Sequence, residues 1–121
     1  ALPGLFARNE RVVCVFDDPV GACWVLVLVG ATIVGSMATA WHGVVNPPRP
    51  RDPRVWHYAP GEVELAQGQE MGRFLLGSTV VMLLPAGPLQ FNPAWAPGGS
   101  IRMGEAMADL ADSLSYTPSR I

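Results

Sequence analysis

The residues of this chain best suited to chemistry are Gly77, Ser78 and Thr79, a small polar step inside the otherwise apolar run FLLGSTVVMLL at residues 74–84. Rich in Val and Leu and closed by Pro85-Ala86-Gly87-Pro88, the run reads as one fully buried strand, because the turn residues end it after about three helical turns. Alternation along a strand puts Leu76, Ser78 and Val80 on one face and Leu75, Gly77 and Thr79 on the other. Ser78 then points into an apolar layer, where a hydroxyl needs a reason to be, while Gly77 leaves its own carbonyl unshielded beside it.

Composition narrows the chemistry further. All eight basic residues are Arg, so nothing in this chain can supply a lysine amine for a pyridoxal phosphate Schiff base or for attachment of biotin or lipoate. With 15% charged residues and a net charge of -2, there is no basic stripe to follow a phosphate backbone, which argues against a nucleic-acid partner. Cys14 and Cys23 lie in apolar surroundings without a CxxC or His-rich neighbour, so the expectation is two buried free thiols rather than a zinc site or a redox pair. No metal ligands are assigned.

The elements that must position Ser78 are short strands. The 13 Gly and 12 Pro mark a turn-rich chain, and 121 residues suffice for one β-rich domain over residues 1–114, with residues 115–121 a frayed tail. Strands are predicted at residues 11–16, 21–29, 32–41 and 55–58, and a short helix at residues 104–114 from the spacing of Met107, Leu110, Ala111 and Leu114. Residues 46–54, NPPRPRDPR, form a proline-rich projecting loop, solvated or, through its three arginines, facing lipid phosphates. No charge falls between Asp18 and His42, so a membrane span over residues 20–41 is an alternative, but Val, Gly30, Gly35 and three hydroxyl residues favour two buried strands.

Three ordered blocks carry a resemblance: LFARNERV at residues 5–12, VGATIVGSMATAWHG at residues 29–43, and GQEMGRFLLGSTVVMLLPAG at residues 68–87. Together they resemble the phosphatidylserine decarboxylase proenzymes, whose self-cleavage motif is the tetrad Leu76-Gly77-Ser78-Thr79. The resemblance implies a compact β-barrel or sandwich of the lipoyl and hybrid-barrel type, with residues 1–77 ending the β chain and residues 78–121 forming the α chain. It implies cleavage between Gly77 and Ser78, with Ser78 as processing nucleophile and as precursor of a pyruvoyl cofactor. That group forms a Schiff base with phosphatidylserine and decarboxylates it to phosphatidylethanolamine.

The family's catalytic histidines, the aspartate of its processing triad and its membrane-seating helices lie upstream of the LFARNERV block. The expectation is therefore a C-terminal fragment, inactive alone, whose partners are phosphatidylserine, the upstream part of the same proenzyme, a membrane surface and a second copy in a homodimer. The resemblance also implies a peripheral position on the cytoplasmic side of a bacterial cell membrane. His42 and His57 match no family histidine motif and are read as structural or surface residues. A non-catalytic β-rich binding domain is the alternative of a different class, with the missing lysine arguing against a swinging-arm carrier.

Overall fold

Strand β1 (Arg11–Asp17) begins a hairpin whose turn is built by one side chain. Asp18 Oδ1 accepts hydrogen bonds from the backbone N–H groups of Ala22 (2.8 Å) and Val20 (3.0 Å), and its Oδ2 lies 3.3 Å from the Trp24 Nε1 donor. This reverses the chain into β2 (Cys23–Val29), which pairs with β1 along its full length, from Arg11↔Val29 to Asp17↔Cys23. The coordinates are a computed structural model describing residues 9–31, 36–46, 52–76 and 79–110.

The remaining strands are β3 (Ser36–Thr39), β4 (Gly43–Asn46), β5 (Gly72–Leu76), β6 (Thr79–Leu83), β7 (Leu89–Phe91) and β8 (Ala108–Leu110). They form three open antiparallel sheets, ordered β1-β2-β6, β4-β3-β5 and β7-β8. The protein is mainly β as predicted, but the sheets do not close into a barrel among the described residues. Two compact units divide the chain: Ala1–Glu64 with Glu70–Pro85, and Leu65–Gln69 with Ala86–Ile121.

The first unit holds both three-stranded sheets. Its most completely buried side chains are Met37 in β3 and Val29 at the end of β2, and Phe16 of β1 meets Trp41 edge to face at 5.8 Å between centroids. Around β3 the ladder is irregular on both sides. Val45 is an extra residue in β4 and Leu75 an extra residue in β5, because Met37 pairs with both Asn46 and Phe74 while its neighbours pair with Val44 and Leu76. The carbonyl of Val45, displaced from the ladder, accepts a hydrogen bond from Arg54 Nη2 at 3.1 Å.

In the second unit Asn92 ties β7 to the approach to β8, its backbone N–H donating to the Met107 carbonyl and its Nδ2 to the Ala106 carbonyl. Met107 and Ala108 are buried there.

One turn device recurs in both units. In Ala59-Pro60-Gly61-Glu62, Ala66-Gln67-Gly68-Gln69 and Arg102-Met103-Gly104-Glu105, the third residue is a glycine at φ near +80°, as a type II turn requires. In each, the fourth residue's carboxylate or amide oxygen reaches back to the first residue's backbone N–H, at 2.8, 3.0 and 3.1 Å. This turn, followed by β8, replaces the helix predicted from residue 104; residues 111–114 of that prediction lie outside the described residues.

Three further expectations change. Residues 55–58 are not a strand: among the described residues no strand pairs with them, and they stand exposed between Pro53 and Pro60. The described part of residues 20–41 contains β2 and β3, and no described helix is long and apolar enough to cross a membrane. Both cysteines are free, but only Cys14 is buried, with burial pushing its thiol pKa up; Cys23 is exposed.

Candidate functional site

The run at residues 74–84 is two strands rather than one. β5 ends at Leu76 in one sheet and β6 begins at Thr79 in the other. Gly77 and Ser78, the predicted site residues, lie outside the described residues, and with them the predicted burial of the Ser78 hydroxyl. The flanking strands are not fully buried either: Leu75, Leu76, Val80, Val81 and Leu83 are exposed. Alternation misjudged them because β5 and β6 are both edge strands of three-stranded sheets, and the extra residue Leu75 interrupts the period.

The residues paired with the flanks of this dipeptide fall in the other two sequence blocks. On one side Thr79 pairs with Val29, which in turn pairs with Arg11. On the other side Leu76 pairs with Ser36. The chain therefore passes between the same two sheets twice: once through residues 30–35, between β2 and β3, and once through Gly77 and Ser78, between β5 and β6. Both passages are bracketed by the rungs Val29↔Thr79 and Ser36↔Leu76.

The rung at Val29 is closed beyond its end by Asn9, whose Nδ2 donates to the Gly30 carbonyl at 3.0 Å, and by the Gly30 N–H donating to the Glu10 carbonyl at 2.8 Å. Sequence reasoning gave Asn9 no role; the available signal was a side-chain amide two residues before a strand, inside the LFARNERV block. On the β5 side the close approach is backbone to backbone. A Cβ added to Gly72 would stand 2.5 Å from the Ala38 carbonyl oxygen, so β5 lies against β3 at a distance only glycine allows.

The other polar groups form surface clusters. Arg73 Nε and Glu70 Oε1 make an exposed ion pair at 2.7 Å. The His42 ring lies against Trp56 at 4.6 Å between centroids, tilted by 58°, its Nδ1 lies 3.3 Å from the Tyr58 hydroxyl, and the Arg54 guanidinium covers the Trp56 ring at 5.1 Å. Both histidines are exposed. Among the described residues no group of three His, Cys, Asp or Glu side chains could hold a metal ion.

The sequence matches the family model for phosphatidylserine decarboxylase over residues 1–109. The chain belongs to the phosphatidylserine decarboxylase family. Among curated relatives, the phosphatidylserine decarboxylase proenzyme of a Polaromonas species is 72% identical over 113 residues, covering 91% of this chain and 39% of the relative. The proenzyme of Albidiferax ferrireducens is 74% identical over 107 residues, 88% of this chain and 37% of the relative, and that of an Azoarcus species 65% identical over 120 residues, 99% and 40%. The chain thus spans about two fifths of the length of these decarboxylase proenzymes. No solved structure matches the chain.

Proposed function

We propose that this chain is the part of a phosphatidylserine decarboxylase proenzyme in which self-cleavage occurs, between Gly77 and Ser78, and that Ser78 becomes the pyruvoyl group of the active enzyme. The observation that carries the reading is the bracketing of the LGST tetrad, with Leu76 paired to Ser36 in one sheet and Thr79 paired to Val29 in the other. Both flanks of the dipeptide are held by separate ladders, so a break between them leaves each end in place.

In the processing step Ser78 Oγ loses its proton to a base and bonds to the Gly77 carbonyl carbon. The Gly77–Ser78 C–N bond breaks, and an ester replaces the peptide. Glycine suits the acceptor position because no side chain blocks the approach. Removal of the Ser78 α-proton and rupture of its Cβ–Oγ bond then free the Gly77 carboxylate. Hydrolysis of the remaining dehydroalanine releases ammonia and leaves the pyruvoyl group. Once formed, that group supplies the electron sink for loss of carbon dioxide from phosphatidylserine, a role that no lysine-anchored cofactor can fill in this chain.

The residues present fit such a group. Its carrier would be the new N-terminus immediately before Thr79, and the β2 ladder fixes β6 through five paired positions. That ladder also keeps the two products together: β6 belongs to the downstream chain and β2 to the upstream one. The base, a histidine supported by an aspartate, lies outside these 121 residues in this reading, and the piece alone is inactive. The complete enzyme works on phosphatidylserine at the cytoplasmic face of a bacterial membrane.

The test is Ser78→Ala in the full-length proenzyme. The variant is expected to remain one chain on a denaturing gel and to form no phosphatidylethanolamine from phosphatidylserine vesicles. Separation of that variant into two chains would overturn the assignment of Ser78.

A further inference from the structure

Sheet β1-β2-β6 is apolar on both faces. The register places Val12, Cys14, Phe16, Trp24, Leu26, Leu28, Val80 and Met82 on one face, where Cys14 and Leu28 are buried and Val80, on the edge strand, is exposed. The opposite face carries the row Arg11–Val29–Thr79, in which Val29 is buried, and beside it two aliphatic cross-strand rows, Val13–Val27–Val81 and Val15–Val25–Leu83. The two aliphatic rows are open on their outer strands, with Val13 54% exposed, Val15 63%, Val81 38% and Leu83 56%, while Val25 and Val27 between them are half-buried.

An antiparallel sheet at a protein surface alternates apolar and polar residues, whereas one with two apolar faces is the middle layer of three. We propose that the Val13–Leu83 face is covered, in the full-length proenzyme, by a segment of the same polypeptide lying outside these 121 residues. Three observations favour that occupant. The relatives are about two and a half times the length of their match to this chain, so a further layer is available in the same molecule. The open patch is of the order of a few hundred Å², and doubling it in a symmetric dimer stays below the ~1,000 Å² of a specific interface, whereas a covalently connected segment needs no such area. The six aliphatic side chains include no aromatic ring, and the ends of β1 on this face carry opposite charges, Arg11 and Asp17. A surface that lies on lipid is instead rich in aromatic and basic residues.

The inference rests on membership of a longer proenzyme and not on the cleavage step; intact mass of the same sample reports cleavage separately. The test uses full-length protein carrying Val15→Cys in a Cys23→Ser background, purified in detergent and also reconstituted in phosphatidylglycerol–phosphatidylethanolamine vesicles. Maleimide labelling of Val15→Cys is expected to be at least about tenfold slower than in urea, in both preparations and at every protein concentration. Carbene footprinting of the unsubstituted protein, which needs no variant to fold, should protect the peptides containing Val13, Val15 and Leu83. A photo-crosslinker at position 15, in a mixture of light and heavy isotope chains, should join only to peptides of its own chain outside residues 1–121. Labelling as fast as in urea, protection that disappears on dilution or mixed-isotope crosslinks (a second copy), or protection only in vesicles (lipid) would each overturn the proposal.

Discussion

The two strands flanking Gly77 and Ser78 are held in different ways. β6 pairs with β2 in unbroken register, and the rung next to the dipeptide, Val29↔Thr79, contains one of the two most buried side chains among the described residues. β5 pairs with β3 through a ladder displaced by the extra residue Leu75, two positions before Gly77. A regular ladder resists slippage, because a shift of one residue would turn every side chain to the other face; a bulge bends its strand and re-aims the residues beyond it. For the proposed cleavage the contrast implies a division of labour, in which the β6 side would retain the downstream chain and the β5 side would set how the upstream strand approaches the cleaved bond.

Substitutions that loosen one side and not the other test this division. Met37→Ala empties a fully buried site in β3 and should cost about 3 kcal/mol. Hydrogen exchange of the full-length protein should then show faster exchange of the β5 amides and unchanged protection in β6; equal loss in both strands would show that the two ladders open as one. Gly72→Ala forces a Cβ against the Ala38 carbonyl and should cost about 2 kcal/mol of β3–β5 pairing. A time course of chain separation should show slower processing, while an unchanged rate would detach the β5 anchor from the chemistry.

A smaller effect is expected on the β6 side, through the β1–β2 turn. The backbone N–H of Ala22 holds the Asp18 carboxyl below the usual carboxylate range; desolvation opposes this, and Trp24 and Val20 add to it. A depressed folded-state pKa contributes stability that is present above the ordinary carboxylate value and lost as the pH falls through the lowered one. Asp18→Asn should therefore lower the melting temperature at neutral pH by a few degrees, with the difference from the unsubstituted protein shrinking in acid. A difference that persists unchanged at low pH would assign the effect to lost packing.

The β1–β2 hairpin was legible because an apolar run of five residues, Val12 to Phe16, and one of seven, Cys23 to Val29, on either side of Asp18 and Pro19 leave little alternative. The division of residues 74–84 was not. Its period is continuous in the sequence, and only tertiary pairing reveals that Phe74 and Val81 belong to different sheets. Short strands such as β4 and β7 carry too few residues to show a period, and residues 55–58 have strand propensity without a partner to use it. The proposed site was picked out in the sequence by a glycine and a serine inside an apolar run and by the three ordered blocks around them. Its anchors were not, because Val29, Ser36 and Asn9 are ordinary residues until the strands bring them beside it.

The central claim is that the peptide bond between these two anchored strands is the one that breaks. Intact-mass analysis of the full-length protein, purified in an active state, addresses it directly. Two chains are expected, divided between Gly77 and Ser78, with a pyruvoyl group in place of serine at the head of the downstream chain. A single uncleaved chain in an active preparation would contradict the account.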